Sequence, residues 1–177
     1  MSAAPSNLQV LVEPPLACVK VIGRGNFNIS ASFEKLLDEL HRNKISCYLM
    51  ELSECRLMDS SFLGVLVGFA ARLRDANGET ASPAVELHNP SPTVLKLFED
   101  LGVLDLFQIT QGTPTTVDGN NAKTVDAGQS SKEETTRACL EAHLALMRQN
   151  PENARRFKDV AKFLAEDLEK LRGSSAE

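Results

Sequence analysis

Asp59-Ser60-Ser61 sets a carboxylate and two hydroxyls in succession, just where a strand-like run gives way to a helix-like one. Two kinds of chemistry suit those residues. Asp59 or Ser60 can cap the helix by accepting a backbone N–H two or three residues on, worth about 1 kcal/mol. A hydroxyl here can instead accept a phosphate, gaining about −1.5 to −2 charges and three acceptor oxygens. Position and residue type alone account for the cap; they do not decide the second role. In α/β sheets, the loops outside the carboxyl ends of strands are where ligands and partners are met.

Other residues offer less. Cys18, Cys47, Cys55 and Cys139 contain no C-x-x-C pair, so they read as reduced thiols, with Cys18 and Cys47 buried in strands. His41, His88 and His143 fall on different expected elements, which gives no local support for a metal site or a catalytic triad. Gly23-Arg24-Gly25 resembles part of a phosphate loop, but no Lys-Ser/Thr follows it. With no nucleophile–base pair, phosphate loop or metal cluster in view, an enzyme ranks last, and no cofactor is expected.

The elements that must position Asp59–Ser61 follow from periodicity. The chain has 177 residues, 42% hydrophobic and 24% charged, enough for one α/β domain and an appendage. Leu8, Val10 and Val12 alternate as a strand, stopped by Pro14-Pro15; Leu16–Ile22 forms a second, antiparallel to the first. Gly23–Asn28 reads as a loop. Ser30 or Ser32 caps a helix whose face is Phe33, Leu36, Leu37 and Leu40. Ile45–Leu52 is a buried central strand, and Ser53–Met58 a loop. The next helix runs from about Ser61 to Ala76, closed by Asn77-Gly78. It is apolar on two stripes, so it is either buried all round or offers its Phe62 side to a partner; burial is favoured. Gly64 and Gly68 lie one turn apart and imply close approach to another backbone, with the sheet favoured. Ala84–His88 is a strand. Ser91 caps a helix with Pro92 at its first position, Gly102 closes it, and Phe107–Thr110 is a short edge strand.

Composition then shifts. Gln111–Ser130 has no Leu, Ile, Phe or Met and reads as a flexible linker, with a weak hairpin around Asp118–Asn121. Ser131-Lys132-Glu133-Glu134 matches a capping box. Its helix carries Leu140, Leu144 and Met147 on one face. Asn150-Pro151 stops it and starts a last helix with Phe157, Val160, Ala161, Leu164, Leu168 and Leu171 on one stripe. This αα-hairpin must cover its stripe against the domain, another protein, or a second copy in a homodimer.

The order strand, strand, helix, strand, helix, strand, helix, short strand, together with Met58–Leu66 and Leu87–Phe107, resembles the STAS domain family of bacterial anti-sigma factor antagonists over about Leu8–Thr110. The resemblance implies a mixed central sheet with helices packed mainly on one side. It divides the chain into a flexible N-terminus (1–7), the STAS-like domain (8–110), a linker (111–130), the C-terminal helical hairpin (131–172) and a flexible tail (173–177). It also implies a non-catalytic regulator that binds an anti-sigma factor with serine kinase activity and so frees a sigma factor for transcription. A serine phosphatase would reset it. Ser60 is then the phosphate acceptor, with Ser61 the runner-up. Asn26, Phe27, Asn28, Asp59, Ser61, Phe62 and Leu63 would line the partner site. Two positions depart from the family's pattern: Phe62 stands where Gly is usual, and Gly25-Asn26-Phe27-Asn28 lacks an acidic residue. The alternative is a constitutive STAS scaffold or subunit in a transporter or signalling complex, with the hairpin as its main contact. The net charge of −5 argues against a nucleic-acid or anionic-membrane surface. No run suits a bilayer span and no signal peptide is evident, so a cytoplasmic protein is expected.

Overall fold

The computed structural model describes residues 6–117, 122–126 and 129–175. Strands β1 (Asn7–Glu13) and β2 (Leu16–Gly25) form an antiparallel pair on either side of Pro14-Pro15. Helix α1 (Phe27–Arg42) leads to β3 (Cys47–Glu51), which lies parallel to β2. Strand β4 (Cys55–Met58) precedes α2 (Ser60–Asn77). Next come β5 (Val85–His88), α3 (Pro92–Asp100) and β6 (Gln108–Thr110), with β5 parallel to both β3 and β6. Strand β7 (Ala122–Val125) pairs antiparallel with β1. Helices α4 (Lys132–Gln149) and α5 (Ala154–Ser175) complete the chain. The strand order is β6-β5-β3-β2-β1-β7, with β4 paired to the far end of β2. This is the mixed sheet with helices mainly on one side that the sequence implied.

Alternation sets which face is covered. Register aligns Val10, Val19, Met50 and Leu87 in one row across four strands, and all four are buried. Ala17, Tyr48 and Val85 make a second buried row. On the other face Gln9, Leu11, Lys20, Leu49 and Glu86 are half-buried, while Cys18 and Glu51 are buried, so that face is only partly solvated. Phe69 of α2 meets Tyr48 edge-on, with ring centroids 4.9 Å apart.

Several local expectations change. Gly23–Gly25 is not loop but the end of β2, held by β4, which lies in the stretch expected to be a loop. Helix α1 is capped by Asn26, whose side chain accepts from Asn28 N–H. Ser30 and Ser32 are buried inside the helix rather than capping it. Cys47 is exposed, unlike Cys18, Cys55 and Cys139. The stretch expected to be a linker contributes β7; the hairpin placed at Asp118–Asn121 lies outside the described residues.

The C-terminal hairpin is not an appendage. Helix α4 packs against both α1 and α2. Its buried residues include Ala138, Cys139, Ala142, Ala145 and Leu146, while Leu144 is exposed, so the face expected from Leu140, Leu144 and Met147 is not the packed one. The reason lies on α2. A Cβ built on Gly64 would stand 2.5 Å from the Ala142 carbonyl oxygen, and one on Gly68 would stand 3.3 Å from the Ala145 Cβ. The glycines thus admit α4, not the sheet, and the groove they leave accepts only small side chains. Arg137 adds a half-buried ion pair to Glu34 of α1 at 2.9 Å. Asn153, in the joint between α4 and α5, donates to the carbonyls of Leu101 and Leu146 at 3.0 and 2.9 Å and so ties the hairpin to the end of α3.

Candidate functional site

The site is built where β2 and β4 end side by side. Gly25 pairs with Met58, and Asp59 N–H donates to the Gly25 carbonyl at 2.8 Å. That fixes Asp59 between the starts of α1 and α2. One carboxylate oxygen accepts the Phe62 N–H at 2.9 Å, capping α2; the other accepts the Phe27 N–H at 2.8 Å, in the first turn of α1. A single negative charge therefore faces two helix N-termini, where it is favoured by both dipoles. Asp59 works as a structural clamp, and Phe27 and Asn28 are carried at the first turn of α1 beside it.

Ser60 is the first residue of α2 and is half-buried. Its Oγ lies 3.0 Å from His143 Nε2 of α4. The other ring nitrogen, Nδ1, is 2.6 Å from the Cys139 carbonyl oxygen. A carbonyl only accepts, so Nδ1 carries a proton; in the neutral ring Nε2 then offers its lone pair, and the Ser60 hydroxyl donates to it. His143 itself is buried, and its ring meets Phe157 of α5 at 5.0 Å between centroids. This serine–histidine pair joins residues 83 positions apart and contradicts the expectation that no nucleophile–base pair exists. Nothing in the local sequence around His143 announced it.

Three of the expected partner residues turn inward. Ser61 is buried and hydrogen-bonded to the Cys139 thiol. Burial pushes that thiol up; the Ser61 bond lowers it and the nearby Asp59 charge raises it further. Phe62 is 0% exposed and stacks on Phe33 at 4.2 Å between centroids, 11° from coplanar. Leu63 is also fully buried. As partner-contact residues these three are corrected: the α1–α2–α4 packing closes over them. Phe62, where the family usually has Gly, fills the space under the β2 end, and a Cβ on Gly25 would come within 2.7 Å of its ring.

What remains outside is a small apolar surface. Phe27 is 50% exposed and Leu57 is 47% exposed, each placed beside Asp59, by bonding and by chain respectively. Asn28, Arg24 and Arg56 are exposed around them, and Asn26 is half-buried. Leu57 pairs with Arg24 across β4 and β2 and was not among the expected contacts; its exposure follows from the strand that replaced a loop.

A second polar group sits at the carboxyl ends of β3, β5 and β6. Glu51 is fully buried, yet its oxygens accept the Ser53 and Thr115 N–H groups at 2.9 and 2.8 Å. Burial alone would raise its pKa; the Thr115 and Ser53 bonds and the nearby His88 outweigh that and hold it below the ordinary carboxylate value. His88 bonds Thr110 Oγ1 and the Thr113 carbonyl oxygen. These contacts fasten the stretch after β6 over the sheet. Among the described residues, no three His, Cys, Asp or Glu side chains are grouped to hold a metal ion, and no helix is long and apolar enough to cross a membrane.

Comparison with known proteins agrees with this architecture. The anti-sigma factor antagonist SpoIIAA in its unphosphorylated form superposes with a TM-score of 0.51 and 20% identity, over 60% of this chain and 88% of that one. The phosphorylated form of SpoIIAA, a Bacillus cell fate determinant, gives 0.48 and 19%, over 60% and 91%. At 20% identity the first of these likenesses is one of fold. The family model of the STAS domain matches residues 7–118, which takes in β1 to β6 and α1 to α3 and stops before the hairpin that supplies His143. With a match over more than half its length, this chain belongs to the STAS domain family.

Proposed function

We propose that this chain is a phosphorylation-controlled binding protein of the anti-sigma factor antagonist type. Ser60 accepts the phosphate, and the surface of Asn26, Phe27, Asn28, Asp59 and Leu57 receives the partner. That partner is an anti-sigma factor with serine kinase activity, whose capture frees a sigma factor; a serine phosphatase restores the binding form. One observation carries the reading. Ser60 is half-exposed at the start of α2, next in the chain to Asp59, which holds the Phe27 N–H, and three residues after Leu57; the Phe27 and Leu57 side chains are both exposed. An exposed apolar patch suits a protein partner better than a small substrate, so the role is non-catalytic despite the Ser60–His143 pair. Phosphate at the rim of such a patch adds charge at a desolvated interface, where one unpaired charge costs about 2–5 kcal/mol and changes affinity more than tenfold.

The test is incubation with ATP and the partner kinase, followed by mass spectrometry and a binding assay. Phosphate on Ser60 and weakened binding by Ser60→Asp are expected. No phosphate on Ser60, with unchanged binding by Ser60→Asp, rejects the proposal.

A second reading, a constitutive scaffold with the hairpin as main contact, is favoured by α5. Phe163 is 68% exposed and Val160 42%, on a helix whose buried side is Ala161 and Leu168. Loss of partner binding by Phe163→Asp, with Phe27→Asp neutral, would select it.

A further inference from the structure

The hairpin beyond the family match reaches back to Ser60 through one side chain, and that contact has a defined donor and acceptor. In the unmodified chain the Ser60 hydroxyl donates to Nε2 of His143, 3.0 Å away, while Nδ1–H is committed to the Cys139 carbonyl. A phosphate on Ser60 removes that donor, because the oxygen's proton is replaced by phosphorus. Acceptor oxygens would then face the lone pair of Nε2. Two responses are open: α4 withdraws, or Nε2 takes a proton and becomes the donor.

Withdrawal of α4 is the costlier response. The helix lies against Gly64 with no room for a methyl group, buries Ala138, Cys139, Ala142 and Leu146, and is pinned at its far end by Asn153. The second response needs no such movement: with one proton added Nε2 becomes a donor, and Nδ1–H keeps its carbonyl partner in both forms. The ring of His143 meets the Ser60 hydroxyl from the start of α2, the Cys139 carbonyl from its own helix and the Phe157 ring from α5, while Ser61 and Asp59 act on the neighbouring Cys139 thiol. A phosphate beside Nε2 is negative, which favours the imidazolium.

We propose that His143 is the built-in counter-ion of phosphorylated Ser60: it accepts from the free hydroxyl, takes one proton from solvent when the phosphate is present, and donates Nε2–H to a phosphoryl oxygen. The hairpin then stays docked in both states, and half of a phosphate dianion's charge is compensated inside the chain. This inference rests on Ser60 as the phosphate acceptor, deepening the preceding proposal.

The experiment uses full-length chain with phosphoserine incorporated synthetically at position 60, so that it does not depend on any kinase. Nitrogen-15 NMR of labelled histidine at pH 7.5 reads the state of His143, and hydrogen exchange reads α4. The expected result is a neutral ring in the Ser60 chain and an imidazolium in the phosphoserine chain, with α4 exchange unchanged between them. In His143→Leu the phosphate should accelerate α4 exchange at least tenfold, and His143→Gln, which keeps a donor, should restore most of the protection. A neutral His143 beside phosphoserine, or equal acceleration in wild type and His143→Leu, overturns the inference. Failure of a kinase to modify Ser60 would overturn the functional proposal while leaving this result standing.

Discussion

Gly64 of α2 stands so close to Ala142 of α4 that an added Cβ would lie 2.5 Å from a backbone carbonyl oxygen. Backbone cannot yield as a flexible side chain can. Gly64→Ala should therefore push α4 outward and destabilise the fold by about 1–3 kcal/mol, despite the roughly 1 kcal/mol of helix propensity that alanine recovers. Gly68→Ala meets only the Ala145 methyl, at 3.3 Å, and should be near neutral. Urea unfolding of the two variants side by side checks the contrast; equal stability of both would mean that α4 does not sit where it is placed.

Phe62 gives a second prediction. It stacks on Phe33 and lies under Gly25 with no exposed surface. Phe62→Ala should cost about 3–5 kcal/mol through the cavity it leaves. Partner affinity per folded molecule should be little changed, because the ring does not reach the surface. Denaturation midpoints paired with binding measurements separate these effects.

Removing residues 131–177 should not release a soluble STAS core. Helix α2 buries residues on nearly every side, among them Leu63, Val65, Leu66, Val67 and Phe69, and α4 supplies part of that cover. The truncated chain should aggregate or expose apolar surface to a dye, whereas the intact chain should not. Point variants at His143 and Phe163 are consequently better probes of the hairpin's role than deletion.

Acid should act through Glu51. Its folded pKa lies below the ordinary value, so the stability it contributes is present above the unfolded carboxylate range and is lost as pH falls through the lower, folded one. Glu51→Gln should weaken the fold by about 1–3 kcal/mol at neutral pH, by stripping charged acceptance from the Ser53 and Thr115 N–H groups. The variant should also show a shallower loss below the carboxylate range. Stability curves at several acidic pH values measure both slopes.

The thiols offer a simple check on packing. Burial pushes Cys18 and Cys55 up to about 11, and it raises Cys139 as well, whereas Cys47 is exposed. A thiol reagent at pH 8 should label Cys47 promptly and the other three only on unfolding. Rapid labelling of Cys139 would show that α4 leaves α2 readily.

Which of these features could be read from the chain depends on how local their physics is. Ser91 with Pro92, the capping box of Ser131 and Glu134, and the closing glycines Gly78 and Gly102 each concern a few adjacent residues, and all stand where expected. Strand β1 was legible from its alternation and β2, β3 and β5 from their apolar runs, although in β3 Tyr48 and Met50, not Cys47, are the covered residues. Strands β4 and β7 have four residues each and no alternation to display; only their partners β2 and β1 make them strands. The site divides in the same way. Asp59 as a cap was visible, but its second bond to Phe27 was not. Phe62 could be read both as buried and as a partner contact, because its own partner, Phe33, lies one helix away. His143 was missed because a bond across 83 positions leaves no periodic trace. The glycine spacing on α2 did signal a close neighbour, and only the identity of that neighbour needed the fold.

Strand β7 has a consequence for how this protein meets others. Without it, the seven-residue β1 would end the sheet as a long row of unpaired backbone donors and acceptors. With it, the described sheet ends in β7 and β6, strands of four and three residues. Short terminal strands are poor templates for another chain to extend the ladder. Association by strand addition is thereby discouraged, and recognition is left to side chains on the helix ends and loops. A surface of that kind can be altered by modifying one hydroxyl, whereas a backbone ladder would be largely indifferent to it.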